Sequence, residues 1–303
     1  MNEGGPMMMT EHPQVQSLRK RLRFRTMVGW LMTGLVALCA LLTLTPLFAV
    51  LGFVLVRGIS RFGLDLLTKL PPPPGLSGGG FGNALIGTVL VVLLGTVISV
   101  PFGMLTAVYL SEFSNADDRQ KEIARWVRFG VNVLAGVPSI IAGVFAYGLL
   151  VVTGIFGYSA MAAGVALAVL MLPTVVRTAD EALKLVPREV RWASVGLGAS
   201  NYYTIFRVVL PAALPGIVTG VILAMARAMG DTAALIFTAL FSTFWPRSLF
   251  EPIATLSVLV YNFATVPYRP QQELAWAASF FLLMLVLLAS VASRLVIRRY
   301  VQR

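Results

Sequence analysis

Three stretches of this chain outrun the thickness of a bilayer without a single charged side chain: 27–56, 84–110 and 129–176. A hydrocarbon core about 30 Å deep takes roughly 20 helical residues at 1.5 Å each, and only helices or closed barrels satisfy their backbone inside it. Each run is therefore read as membrane-spanning helix, with 129–176 holding two, divided near Gly154-Ile155-Phe156-Gly157. A further run, 214–240, is apolar except for Arg227 and Asp231, and a last one, 274–293, closes at Arg294. The expected fold is an all-α polytopic membrane protein with six transmembrane helices. Composition agrees, since only 12% of residues are charged and mean hydropathy is +0.83, whereas an ordinary soluble domain carries about 25% charge.

The charges that exist are distributed unevenly. Of the 24 Lys and Arg residues, 18 precede helix 1, follow helix 6, or lie between helices 2 and 3 or 4 and 5; five lie in the opposite connections, and Arg227 lies within helix 5. By the positive-inside rule the richer side is cytoplasmic, which puts both termini there. The net charge of +11 is thus an orientation signal, and no nucleic-acid partner is expected. Cys39 is the only cysteine and His12 the only histidine, which excludes an internal disulfide, a cysteine metal cluster and a histidine metal site. Cys39 is read as a buried small hydrophobe. No G-x-x-x-x-G-K-[ST] pattern occurs, so the chain cannot cradle ATP in a P-loop.

This reading divides the chain into a cytoplasmic tail 1–26, a first helix 27–56, an external linker 57–83, a five-helix core 84–298 containing a cytoplasmic loop 177–211, and a basic end 299–303. The linker joins Pro71-Pro72-Pro73-Pro74, a stiff extended piece, to Gly75 and Gly78-Gly79-Gly80, a flexible one. Gly87, Gly95, Gly103, Gly136, Gly143, Gly148, Gly164, Gly216 and Gly220 recur where helices must approach closely, because lipid offers no hydrophobic drive between them. Gly136-Val137-Pro138-Ser139 could break helix 3 beside a cavity, but a packing kink is the favoured reading.

Loop 177–211 reads as a helix, turn, helix projection. Asp180-Glu181 can start one short helix, Pro187 interrupts it, and Val190, Ala193 or Ser194, and Leu197 recur at helical spacing. Gly198 breaks that piece, Ser200 or Asn201 caps a third, and Pro211 and Pro215 redirect the chain into helix 5. Trp192-Ala193-Ser194, three residues, Gly198, nine residues, then Val208-Val209-Leu210-Pro211 resembles the loop of ABC importer permeases that reads Glu-Ala-Ala, three residues, Gly, nine residues, Ile, any residue, Leu-Pro. The resemblance implies the type I (MetI-like) permease fold. It also implies that 190–208 docks on a cytoplasmic ATPase through Val190, Trp192, Ala193, Ser194, Gly198, Val208, Leu210 and Pro211. Trp192, Ser194 and Val208 depart from Glu, Ala and Ile, and the first departure exchanges an acidic contact for an aromatic one.

Arg227 and Asp231, four apart, are expected on one face of helix 5. An intramembrane arginine is costly and should face a bundle interior or wet cavity. Either Asp231 merely neutralises it, or its guanidinium fork grips an oxyanion while Asp231 orients it or limits its affinity. The surrounding Leu214-Pro215-Gly216-Ile217-Val218-Thr219-Gly220, Ala226-Arg227-Ala228-Met229-Gly230-Asp231-Thr232-Ala233 and Leu235-Ile236-Phe237-Thr238-Ala239-Leu240 resemble phosphate-specific permeases. Tyr261-Asn262 and Gln272-Glu273-Leu274-Ala275-Trp276-Ala277-Ala278 resemble the PstA-type subunit in particular. The resemblance implies a substrate path at Arg227, Asp231 and Thr232, with Asp231 standing where the family usually has Glu. It further implies a bacterial inner-membrane complex containing a homologous phosphate permease, two cytoplasmic ATPases that hold the ATP and Mg, an extracytoplasmic phosphate-binding protein and surrounding lipid. No cofactor or catalytic residue is expected in this chain. The alternatives are a permease for sulfate or molybdate, or an ion-coupled secondary transporter. Tyr109 and Ser139 are further candidates for lining the path.

Overall fold

A computed structural model describes the backbone of residues 13–59, 63–114 and 117–301, and side chains between 25 and 291 within those stretches. His12 and the ends of the chain lie outside the described residues. The elements are α1 (Pro13–Ile59), α2 (Asp65–Thr68), α3 (Gly82–Val108), α4 (Asp118–Gly136), α5 (Ser139–Ala146), α6 (Ala160–Lys184), α7 (Arg188–Gly196), α8 (Asn201–Thr204), α9 (Leu210–Met229), α10 (Ala233–Thr238), α11 (Leu256–Thr265) and α12 (Arg269–Val301). Wider π-helical turns extend α3 through Tyr109–Phe113 and α5 through Tyr147–Val152, and join α8 to α9 through Ile205–Val209. Among the described residues no strand occurs.

Five helical stretches are long and apolar enough to cross a membrane, or six if α4 and α5, bent by 102° at their junction, are counted as one broken span. The chain divides into two units, one ending at Leu55 and one beginning at Val56. The first holds α1 as far as Leu55, with Pro46 in the interior of that helix. Its side chains from 25 to 50 are exposed, Cys39 included, so the expectation of a buried cysteine is corrected.

The second unit is built around α6, which packs between α3 and α9. Small residues permit that closeness. A Cβ on Gly103 would lie 2.7 Å from Val175, one on Gly164 2.7 Å from Leu94, and one on Gly220 2.0 Å from Thr178. Gly136 and Gly148, expected to act likewise, have open space around them. Val91, Leu167, Met171, Val175, Ala224 and Ala228 fill the centre, and Ala107, Leu183, Ile205, Val209 and Ile217 fill the end nearer α7.

Several boundaries differ from the sequence reading. Helix 3 begins at Asp118 rather than Phe129, because the amphipathic stretch carrying Arg119, Lys121, Arg125 and Arg128 is already helical. Gly136-Val137-Pro138 breaks the span rather than kinking it. Val137 and Pro138 are extended, and α5 restarts from the Pro138 carbonyl, which accepts from Ile141 and Ala142. Helix 4 runs through Lys184, so Arg177, Asp180 and Glu181 lie in its last turns and start no new helix. Pro211 and Pro215 do not redirect the chain, since Asn201–Met229 is one continuous stretch. The π turn Ile205–Val209 runs directly into α9, and Pro211 follows it at the first positions of that helix.

The linker is also more ordered than its composition suggests. Gly80 and Gly82 donate to the carbonyls of Leu70 and Lys69, and Phe81, fully buried, donates to that of Leu66. A Cβ on Gly80 would meet the backbone of Asp65 and Leu66 at 2.5 Å, so this glycine serves packing rather than flexibility. At the same end, Asn83 donates to the Ser242 carbonyl (2.9 Å), and Ser159 and Met161 donate to those of Thr238 and Leu249. Segment 238–249 therefore covers the starts of α3 and α6. The chain then dips back to Thr88, whose hydroxyl accepts from the Leu256 amide at 2.8 Å, before α11 rises beside α12. Helix α11, at ten residues, is too short to register as a span.

Candidate functional site

Two interrupted helices meet in the middle of the second unit. The first interruption is the 102° break before Ser139. The second lies at Gly230-Asp231-Thr232, where α9 stops and α10 begins. Gly230 and Asp231 still donate to the carbonyls of Arg227 and Ala228, closing the last turn of α9, while Asp231 Oδ1 accepts from the Ala234 amide at 3.1 Å and starts α10. The Ser257 hydroxyl donates to the Asp231 carbonyl at 2.9 Å, tying the break to α11. Helix α10 lies directly on α5, for a Cβ on Gly143 would fall 2.6 Å from Ala234 Cα. Backbone broken at membrane depth is tolerated only where it is buried in protein or lines a cavity, and here a cleft of about 20 Å³, close to the volume of one water, lies beside both breaks.

Ser139, Thr174, Arg227 and Asp231 bring polar groups to that cleft, against Leu167, Met171 and Ala224. Arg227 and Asp231 thus share a cavity, but not one helix face, because α9 ends between them; this corrects the expectation from their spacing. No ion pair joins them among the described residues. The carboxylate is engaged by the Ala234 amide, and Arg227 is an exposed residue whose guanidinium has neither hydrogen bond nor carboxylate partner among the described residues. Thr232 occupies the turn before α10, where its carbonyl accepts from Ile236, and it is not among the cleft walls. Tyr109 lies elsewhere, with its hydroxyl 3.5 Å from the Gln120 carbonyl. Thr174, which sequence reasoning missed, has no local motif; only the packing of α6 against α9 brings it to the cleft.

A second constellation occupies the turn from α6 to α9. Helix α7 ends in a Schellman arrangement: Gly198, at φ +88°, donates to the Val195 carbonyl and Ala199 donates to that of Ser194. Ser200 caps α8 by accepting from the Tyr203 amide, and the Ser194 and Thr204 hydroxyls meet at 2.9 Å. Val190, Ala193, Ser194, Gly198 and Val208 line a groove of about 680 Å³ together with Tyr203. Leu210 packs into the core beneath, Pro211 is exposed, and Trp192 is 66% exposed outside the groove lining. With Leu197 (90%) and Tyr202 (67%), Trp192 leaves an apolar surface that a solitary soluble face would not carry.

Arg191, also missed, fastens this projection to the bundle. Its Nη2 donates to Glu112 Oε1 and to the Leu183 carbonyl, each at 2.9 Å, its Nε to Glu112 Oε2 at 3.3 Å, and its Nη1 to the Val186 carbonyl at 2.6 Å. Seventy-nine positions separate the ion pair in sequence, beyond the reach of local spacing rules.

Residues 99–302 match the family model of the binding-protein-dependent transport system inner membrane component. The phosphate transport system permease protein PstA of Yersinia pestis is 36% identical over 282 residues, covering 93% of this chain and 94% of that protein. PstA of Haemophilus influenzae is 39% identical over 275 residues, covering 91% and 95%. Among solved structures, a bacterial alginate ABC transporter in complex with an alginate-bound periplasmic protein superposes with TM-score 0.65 at 15% identity, covering 92% of this chain and 98% of that one. The inward-facing MetNI methionine ABC transporter superposes with TM-score 0.57 at 22% identity, covering 73% and 94%. At such identities the structures speak for the fold alone, which is that of ABC importer permeases. The sequence relatives carry the assignment further: the chain belongs to the binding-protein-dependent transport system inner membrane components, among the PstA-type permeases.

Proposed function

We propose that this chain is one transmembrane subunit of an ATP-driven phosphate importer, forming half of the path with a homologous permease and docking a cytoplasmic ATPase through the 177–211 loop. The observation that carries the reading is Arg227, exposed and without a carboxylate partner among the described residues, beside two broken helices in a span that is otherwise apolar. Such a charge against lipid is strongly unfavourable, so the face that bears it must meet water, a partner chain or an anion. A guanidinium presents a fixed fork of donors that matches two phosphate oxygens. Ser139 and Thr174 add hydroxyls in the same cleft, while the Asp231 carboxylate opposes a second negative charge and keeps anion binding weak enough for release. Small volume at the cleft suits a closed state that opens when helices on either side separate.

The PstA relatives supply the phosphate assignment, and the exposed apolar surface on 190–203 suits docking on an ATPase. The remaining partners, a phosphate-binding protein outside and a second ATPase, follow from the same assembly. ATP and Mg belong to the ATPases, and this chain contributes no catalytic residue. The test is uptake of inorganic phosphate into proteoliposomes holding this chain with its co-purifying permease and ATPase, with sulfate as competitor. ATP-dependent uptake that resists sulfate supports the proposal. Uptake of sulfate instead, or uptake driven by an ion gradient without ATP, overturns the substrate or the energy source respectively.

A further inference from the structure

Helix α7 buries none of its nine residues. Apolar packing therefore does little to fix it to the bundle, and its attachment depends on polar links and on the covalent chain. The Ser194–Thr204 contact joins it to α8, at the start of the continuous stretch 201–229. Arg191 ties it to two further membrane helices: it holds Glu112, in the π turn that ends α3, the Leu183 carbonyl in the last turn of α6, and the Val186 carbonyl just beyond it. The side chains of Arg191 and Glu112 are 20% and 10% exposed, so they are largely withdrawn from any partner surface, and Glu112 also accepts from the Ser111 hydroxyl. A two-point guanidinium–carboxylate pair reinforced by two carbonyls resists both sliding and rotation.

We infer that Glu112 and Arg191 are a positioning pair that makes α3 and α6 move with α7, so that force applied at the docking surface reaches the membrane helices. The inference rests on the reading of α7 as the docking element. From Leu183, α6 runs without a break to Thr174 and Met171 in the Arg227 cleft, distances of about 14 Å and about 18 Å at 1.5 Å per residue. One uninterrupted helix thus joins the anchored end of the projection to the cleft wall. With the pair removed, α7 stays covalently attached but can swing without carrying α6, and ATP is then hydrolysed without moving the path.

The experiment measures phosphate imported per ATP hydrolysed in proteoliposomes holding the full complex, alongside ATPase co-purification. Glu112→Gln keeps the shape of the side chain and removes its charge. It should leave the ATPase bound and lower the ratio by roughly two- to thirty-fold, the span over which residues within coupling networks act. Arg191→Ala should lower the same ratio, and Glu112→Ala combined with it should be no worse than the more severe single change. An unchanged ratio in Glu112→Gln overturns the inference, as does a loss of bound ATPase in proportion to lost uptake, which would make the pair a mere support for docking. Absence of ATP-dependent uptake in the unaltered complex would instead sink the functional reading before any variant is compared.

Discussion

Arg191 and Arg227 sit at opposite ends of the use a protein can make of a guanidinium. The first, near the surface, is bonded to a carboxylate at two points and to two carbonyls; the second, within an apolar span, has no such partner among the described residues. Solvation alone would favour the reverse, since water would satisfy a surface arginine without help and the membrane would not satisfy a buried one. A charge whose hydrogen bonds are mostly taken by the protein is fixed in place and serves architecture. A charge left open at membrane depth is available to the proposed anion path. The irregular backbone follows the same division. At 197–200 the turn is closed by its own amides and carbonyls, whereas at 230–232 the break leaves room beside a cleft.

The largest effect expected from this contrast is at the open arginine. Arg227→Gln removes the charge while keeping a polar side chain, and phosphate uptake should fall by more than about 100-fold with the complex still assembled. Uptake near the unaltered level would show that the open charge is not held for substrate. An intermediate effect is expected at the closed turn. Gly198 has open space around its Cα but a φ of +88°, so Gly198→Val imposes backbone strain of about 1–3 kcal/mol without a clash. ATPase co-purification should weaken, and Gly198→Asn, which tolerates that conformation, should restore most of it. Equal stoichiometry in all three proteins would remove the turn from docking. The smallest effect separates the two tasks of Asp231. Asp231→Asn keeps an oxygen for the Ala234 amide and loses the negative charge, so assembly should hold while both KM for phosphate and maximal uptake drop about two- to five-fold through slower release. Loss of assembly instead would mean that the carboxylate serves only the start of α10.

Much of the architecture could be read from single residues and their spacing. Runs without charge locate the apolar spans because the bilayer disfavours unpaired charge over a fixed length, and the interval from Trp192 through Gly198 to Pro211 locates the helix, turn, helix projection between α6 and α9. Arg227 stood out because one arginine in an apolar span requires a cause. The failures share a different origin. Whether Pro138 breaks a helix while Pro211 and Pro215 are absorbed depends on neighbouring turns: an extended Val137 ahead of the first, and a π turn ahead of the second. Arg227 and Asp231 have helical spacing, yet the helix ends between them, and the carboxylate goes to an amide rather than to the arginine. Gly80 reads as flexible by composition but is packed against the backbone of α2.

The sequence by itself therefore indicated which segments are apolar enough to cross a membrane, the side of the membrane favoured by the basic residues, and the two charges, Arg227 and Asp231, that interrupt an apolar run. These depend on transfer free energies and on local periodicity, which are properties of composition along the chain. Tertiary structure alone decided where helices break, that Ser139 and Thr174 join Arg227 in one cleft, and that Glu112 waits for Arg191 across 79 positions. Those outcomes depend on which helix lies beside which, and the close approach of α6 to α3 and α9 that produces them is a property of packed surfaces.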